Sequence, residues 1–253
     1  MDRLTVKTTE EIEIMKEGGR KLAVIRDQVA KMIGPGMTTA QLDKEADELI
    51  RKAGGYPSFK MVAGYKHATC INVNDEVVHG VPGERVIQNG DKIGVDVGFF
   101  YMGFHTDTAV TVMVGGGKGR KVEDKFLETG KLALQKAIGQ ARPGKRVMDI
   151  SRVIQETIEG AGYSAVRALT GHGIGKNLHE EPAIPCFVMG SHEHSFQLVA
   201  GMTVAIEVMY NLGGAEVNYK NDDGWTIATA DGKISGLFEH TVAITKSGPV
   251  VFT

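Results

Sequence analysis

The stretch IGVDVGFFYMGFHTDTAV, residues 93–110, decides the architecture. Ile93, Val95, Val97 and Phe99 fall on one face of an extended chain, and Gly94, Asp96 and Gly98 on the other. That period of two marks a strand buried on its apolar side. Phe100-Tyr101-Met102-Gly103 reads as a turn in which Gly103 supplies flexibility, and the return strand starts at Phe104. If Phe99 pairs with Phe104, Asp96 faces Asp107 directly, with Cβ atoms about 4.5–5.5 Å apart. Two opposed aspartates facing an interior or a cleft repel each other unless a cation lies between them.

The same design recurs later in the chain. In TVAIEVM, residues 203–209, Val204, Ile206 and Val208 form the apolar face, and Glu207 projects from the other beside Ala205. Gly90 lies six residues before Asp96, and Gly201 six before Glu207. Asp107 leads into an apolar strand, as does Glu239 in LFEHTVA. Each strand set follows a pair of helical patterns. PGMTTAQLDKEADELIRKAGGY (35–56) and PGKRVMDISRVIQETIEGAGY (143–163) both open on Pro-Gly and close on glycines before a tyrosine. Leu42, Ala46 and Leu49 in the first, and Ile150, Ile154 and Ile158 in the second, keep helical spacing. Thr38 with Gln41 forms a capping-box pattern, and so does Thr8 with Glu11. A longer helix is expected ahead of each unit, at about 8–33 and about 121–141. We read a single domain, 1–253, made of two half-repeats (about 1–115 and 116–253) related by a pseudo-two-fold.

Adding His172 from TGHGIGK gives a set of Asp96, Asp107, His172, Glu207 and Glu239. Four carboxylates meeting at one imidazole need a metal to offset their charge. Oxygen-rich ligation with one nitrogen suits manganese, iron, cobalt or zinc better than a thiolate site does. His67, His105 and His240 are expected to be structural. His192 and His194 fall in a polar loop without the spacing of a helical zinc-protease motif. VGGGKGRK, 114–121, lacks the spacing of a phosphate loop and reads as a linker.

Bulk properties exclude several classes. A chain of 253 residues with 42% hydrophobic and 24% charged residues suits a soluble globular protein. The formal net charge of −2 leaves no electrostatic footprint for nucleic acid. No apolar run approaches the roughly 18 residues of a membrane span. The opening MDRLTVKTTEE has no apolar core of a signal peptide. Cys70 and Cys186 are too few for a disulfide framework. A cytoplasmic monomer is the expectation.

Five motifs in order resemble the type I methionine aminopeptidase family: NDEVVHGVPG, DVGFFYMGFHTDTA, GHGIGKNLHEEP, GMTVAIEVM and FEHTVAIT. The resemblance runs from the first helix to Phe252. It implies the α+β pita-bread fold, a curved antiparallel sheet with helices on its outer face. It implies two divalent metal ions, with Asp96 chelating one, Asp107 and Glu239 bridging, and His172 and Glu207 completing the other. The activity implied is removal of the initiator methionine from nascent polypeptides when the second residue is small, by a metal-activated water. His79, His179 and Glu207 are then catalytic. His79 and His179 also contact substrate, and Phe59, Tyr65, Cys70, Leu178 and Trp225 wall the methionine slot. A ribosome-docked site of action is compatible with this, with no direct nucleic-acid or membrane binding. Leu169, Leu178, Val208, Phe59 and Val62 depart from the residues usual at their positions. The rival readings are an X-Pro dipeptidase of the same fold and a non-enzymatic relative.

Overall fold

The computed structural model describes residues 5–115 and 121–253, so most of the glycine-rich stretch read as a linker lies outside the described residues. The first half runs through α1 (Thr9–Met32), α2 (Thr39–Lys52), β1 (Tyr56–Pro57), β2 (Thr69–Val73), β3 (Glu76–Val78), β4 (Lys92–Tyr101) and β5 (Phe104–Met113). The second runs through α3 (Lys121–Gln140), α4 (Val147–Gly160), β6 (Ser164–Ala165), β7 (Thr170–Gly173) and β8 (Glu180–Pro185). It continues with β9 (Thr203–Asn211), β10 (Val217–Tyr219), β11 (Ile227–Thr229), β12 (Ser235–Thr245) and β13 (Gly248–Val251). The helices start where their caps dictate. Thr8 and Glu11 exchange both capping bonds at α1, and Thr38 and Gln41 do the same at α2.

One antiparallel sheet of ten strands follows the path β1-β4-β5-β12-β9-β7-β8, with β2 also on β4, β6 on β9 and β13 on β12. A small second sheet joins β10, β11 and β3. The two halves share a plan. Pro35-Gly36 and Pro143-Gly144 enter α2 and α4 with glycine φ of +93° and +86°. Each of these helices then leads into a short strand, β1 on β4 and β6 on β9. The halves meet where β5 pairs with β12 in the main sheet and where β3 pairs with β11 in the small one.

One face of the sheet carries the core. Leu22, Ile25 and Val29 of α1 and Leu42, Ala46 and Ile50 of α2 pack on Val95, Val97 and Phe99. Phe126, Ala133 and Ala137 of α3 and Ile150, Ile154 and Ile158 of α4 pack with Ile206 and Val208. Each fully buried aliphatic side chain contributes about 1.5–3 kcal/mol. Because side chains alternate, this burial turns Asp96, Asp107, Glu207 and Glu239 to the other face.

The register of the β4–β5 hairpin differs from the sequence expectation. Tyr101 pairs with Phe104, and Asp96 lies opposite Ala109 while Asp107 lies opposite Gly98. The loop is the two residues Met102 and Gly103, with φ of +47° and +91°. Two left-handed residues form the mirror-image turn whose twist matches the flanking strands, and it replaces the four-residue turn read from the sequence. The shift is two residues, so both aspartates keep their face but sit diagonally instead of directly opposed.

Candidate functional site

Four adjacent strands deliver the acids in two rows. Asp96 on β4, Ala109 on β5, Glu239 on β12 and Glu207 on β9 pair successively across the sheet. One pleat along, Asp107 lies next to Thr241, Ala205 and then His172 of β7. Ala109 and Ala205 are the small residues of these two rows, Ala109 between Asp96 and Glu239 and Ala205 between Thr241 and His172. Asp107, His172 and Glu239 form the tightest group, with one ligand atom from each all within 4.8 Å of one another.

Backbone-directed hydrogen bonds hold these groups. The Asp107 N–H donates to Thr241 Oγ1 at 2.8 Å, and that hydroxyl donates to the Asp107 carbonyl at 2.8 Å. The Thr108 N–H donates to Asp107 Oδ1 at 2.9 Å, and the Thr108 hydroxyl to the Glu239 carbonyl at 2.9 Å. His172 Nδ1 lies 2.9 Å from the Gly173 carbonyl. A donor is required at that nitrogen, which leaves the Nε2 lone pair free.

Electrostatics make the cluster unstable as bare charges. Burial, then Asp107 and Glu207, drives the Asp96 carboxyl well above the usual range. Burial, then Asp107, does the same to Glu239. Burial raises Asp107 to about 7, and burial with the Asp107 charge raises Glu207 to about 8. Burial and the neighbouring His179 hold His172 down to about 4, so its ring is neutral. Asp96 Oδ1 is buried without a hydrogen-bond partner. An orphaned carboxylate oxygen among three other acids and a neutral imidazole is what a divalent cation would satisfy, so this donor set fits one.

A cavity of about 560 Å³ opens over the cluster. All twelve residues singled out in the sequence line it: the five above with Phe59, Tyr65, Cys70, His79, Leu178, His179 and Trp225. The apolar wall combines Phe59 of a short 3₁₀ turn (Ser58–Met61) and Cys70 of β2 with Tyr65, Leu178 and Trp225 from loops. The rings of Tyr65 and Trp225 meet edge-to-face at 5.0 Å, with Phe59 at 6.5 Å from Tyr65. The Tyr65 hydroxyl donates to the Thr69 carbonyl at 2.8 Å and lies 3.3 Å from Cys70 Sγ. His179 stands edge-to-face to His172, with ring centroids 4.5 Å apart. Burial lowers the pKa of His179, and burial with the His179 charge lowers that of His79. His79 follows β3 with φ of +57°, a conformation that costs energy in a residue with a side chain.

The other histidines lie elsewhere. His105 is buried against Ser58 and the Phe100 ring. His67 pairs with Asp43, and His240 meets Arg26 and Thr253 on the helix side. His192 bonds Asp149 and His194 bonds Ser191 in a short 3₁₀ turn. Of the departures, Val62 and Leu169 line the cavity, whereas Val208 packs in the helix-side core. Sequence reading passed over Thr170, Met209 and Glu180, which also line it. Thr170 and Met209 lie two residues from His172 and Glu207, so the strand period points to them. Glu180 carries no such signal. Among the described residues no helix is long and apolar enough to cross a membrane.

Comparison with known proteins agrees with this geometry. The model of metallopeptidase family M24 matches residues 13–246. Methionine aminopeptidase 1 of Bacillus subtilis is 41% identical over 247 residues, covering 98% of each chain. The crystal structure of a methionine aminopeptidase from Thermotoga maritima superposes with a TM-score of 0.93 at 42% identity, covering 99% of each chain. The prolidase from Pyrococcus furiosus shares the fold, with a TM-score of 0.78 at 23% identity over 98% of this chain and 65% of its own.

Proposed function

The chain belongs to metallopeptidase family M24, and from that membership we propose that it is a metal-dependent methionyl aminopeptidase acting on new polypeptides whose second residue is small. The observation that carries the reading is the buried acid cluster, with its unpartnered Asp96 oxygen, at the floor of an apolar-walled cavity. Asp96, Asp107, His172, Glu207 and Glu239 would hold two divalent ions, drawn from manganese, iron, cobalt and zinc. When bound, such ions polarise a carbonyl and make water a better nucleophile near neutral pH.

The remaining steps belong to the chain's own residues. The methionine side chain enters the slot of Phe59, Tyr65, Cys70, Leu178 and Trp225. Its unbranched thioether adapts to an irregular apolar wall. The free amino terminus seats at the acidic end, which limits the reaction to the first peptide bond. Neutral His179 donates a hydrogen bond to the carbonyl oxygen as negative charge develops there. Water adds to the carbonyl carbon, Glu207 takes its proton, and the C–N bond breaks as that proton passes to the departing nitrogen. His79 contacts that nitrogen. The second residue has to fit beside His79 and His179, so small residues are preferred.

A soluble, monomeric, cytoplasmic protein acting near the ribosome is consistent with this substrate, and the chain is read as one metallopeptidase domain of two half-repeats. The test compares Met-Ala-Ser with Met-Leu and Ala-Pro peptides before chelation, after it, and after restoring manganese, cobalt or iron. Loss and recovery of Met-Ala-Ser cleavage, with Met-Leu cut far more slowly, is expected. Faster cleavage of Ala-Pro would move the chain to the dipeptidase reading. His179→Ala is expected to lower kcat by roughly 10²–10³-fold with metal content unchanged.

A further inference from the structure

The segment leading into α1 packs along the rim of the cavity. Lys7 is 7% exposed, and its N–H donates to the Gly201 carbonyl at 2.8 Å. Its ammonium reaches Glu180 Oε2 at 2.6 Å and Thr5 Oγ1 at 2.8 Å. The Thr5 hydroxyl donates to the same Glu180 oxygen. The other Glu180 oxygen accepts from the Asn177 N–H at 3.1 Å. A Cβ on Gly175 would come within 2.4 Å of Lys7 Cε, so glycine at 175 is what lets the lysine stem lie against the loop. Residues 174–179 are the loop between β7 and β8 that carries Leu178 and His179. Elsewhere this loop is tied by the His105 N–H to the Gly175 carbonyl at 2.7 Å and by Lys176 to Glu11 at 3.1 Å.

The side chains of Lys7 and Glu180 are only 4% and 6% exposed. Desolvating two charges this far offsets most of their attraction, so such a pair is weak evidence for stability and better evidence for fixed geometry. Here the geometry it fixes is that of the loop beside the cluster. We propose that Lys7 is a positioning residue: by clamping Glu180 it holds the 174–179 loop and so aims His179 into the cavity. This rests on the reading of His179 as the donor to the carbonyl oxygen. Lys7 itself touches no substrate.

The experiment measures kcat, KM and bound metal for Lys7→Met in the wild-type and His179→Ala backgrounds, with Met-Ala-Ser as substrate and metal in excess. In the wild-type background kcat should fall by roughly tenfold to a hundredfold, with KM and metal content little changed. In the His179→Ala background the same substitution should cost less than about twofold, because groups acting through one another are not additive. Lys7→Met leaves Glu180 buried and unpaired. If it does not fold, Lys7→Met with Glu180→Gln removes both charges and carries the same comparison. An unchanged kcat, or an equal loss in both backgrounds, overturns the proposal for Lys7. A His179→Ala variant with undiminished kcat overturns the reading of His179 first, and with it the route by which Lys7 acts.

Discussion

Asp107 is the acid on which the others depend. Its charge contributes to the raised pKa of Asp96, Glu207 and Glu239, and it belongs to the tightest group of ligand atoms. Asp107→Asn is therefore expected to weaken divalent metal binding by at least roughly 100-fold, the upper end of what outer-shell changes cost. Asp96→Asn should weaken it less, as read by titration with manganese. The pH dependence follows from the raised carboxyls. Asp107 and Glu207 titrate at about 7 and about 8 in the metal-free protein, above their values in an unfolded chain. Between the unfolded and folded values the folded state holds more protons, so their contribution to stability falls as pH rises through that window. Metal must displace those protons, so its affinity rises with pH over the same range. The gap in Tm between metal-loaded and metal-free protein should widen from pH 6 to 8. Calorimetry near pH 7 in buffers of different ionisation enthalpy should detect proton release. A gap that narrows would refute the assignment of the site.

At the scale of single elements, the β4–β5 hairpin separates what the sequence disclosed from what it did not. Alternation placed both aspartates on the correct face, because a period of two survives any even shift of register. It could not fix the shift itself. That was decided by Met102 and Gly103 both adopting positive φ, which only Gly103 advertises in the sequence. No atom lies within 4 Å of a Cβ built on Gly103. Gly103→Ala should thus cost only backbone strain, about 1–2 kcal/mol in chemical denaturation, with the strand faces and metal affinity retained. The helices were legible because capping and spacing are local, and the structure keeps Thr8 and Thr38 as caps. The slot was not legible from pattern alone. Phe59 and Tyr65 come from the segment between β1 and β2, and Leu178 and Trp225 from two other loops; these meet only through tertiary packing, and it was family resemblance, not periodicity, that brought them together.

Across the whole molecule, the site belongs to neither half alone. Asp96 and Asp107 come from β4 and β5, and His172, Glu207 and Glu239 from β7, β9 and β12. A metal held by these five residues would link the halves and would bind only where both are folded. At a free concentration of about 100 times Kd it should add about 2.7 kcal/mol, which for a chain of this size raises Tm by about 5–10 °C. A thermal scan with and without chelator measures this. A chelated protein with unchanged Tm would mean that the cluster is filled by something other than metal. In the main sheet the strand that joins the halves is β12, seated between β5 and β9 although it follows both in the chain. During synthesis, then, the centre of the main sheet is made after all its other described strands but β13. A chain stalled or cut short before residue 235 has neither Glu239 nor the strand that brings Asp107 next to Glu207. Such an unfinished product would be inert, so peptidase activity would wait on the strand that completes the centre of the sheet.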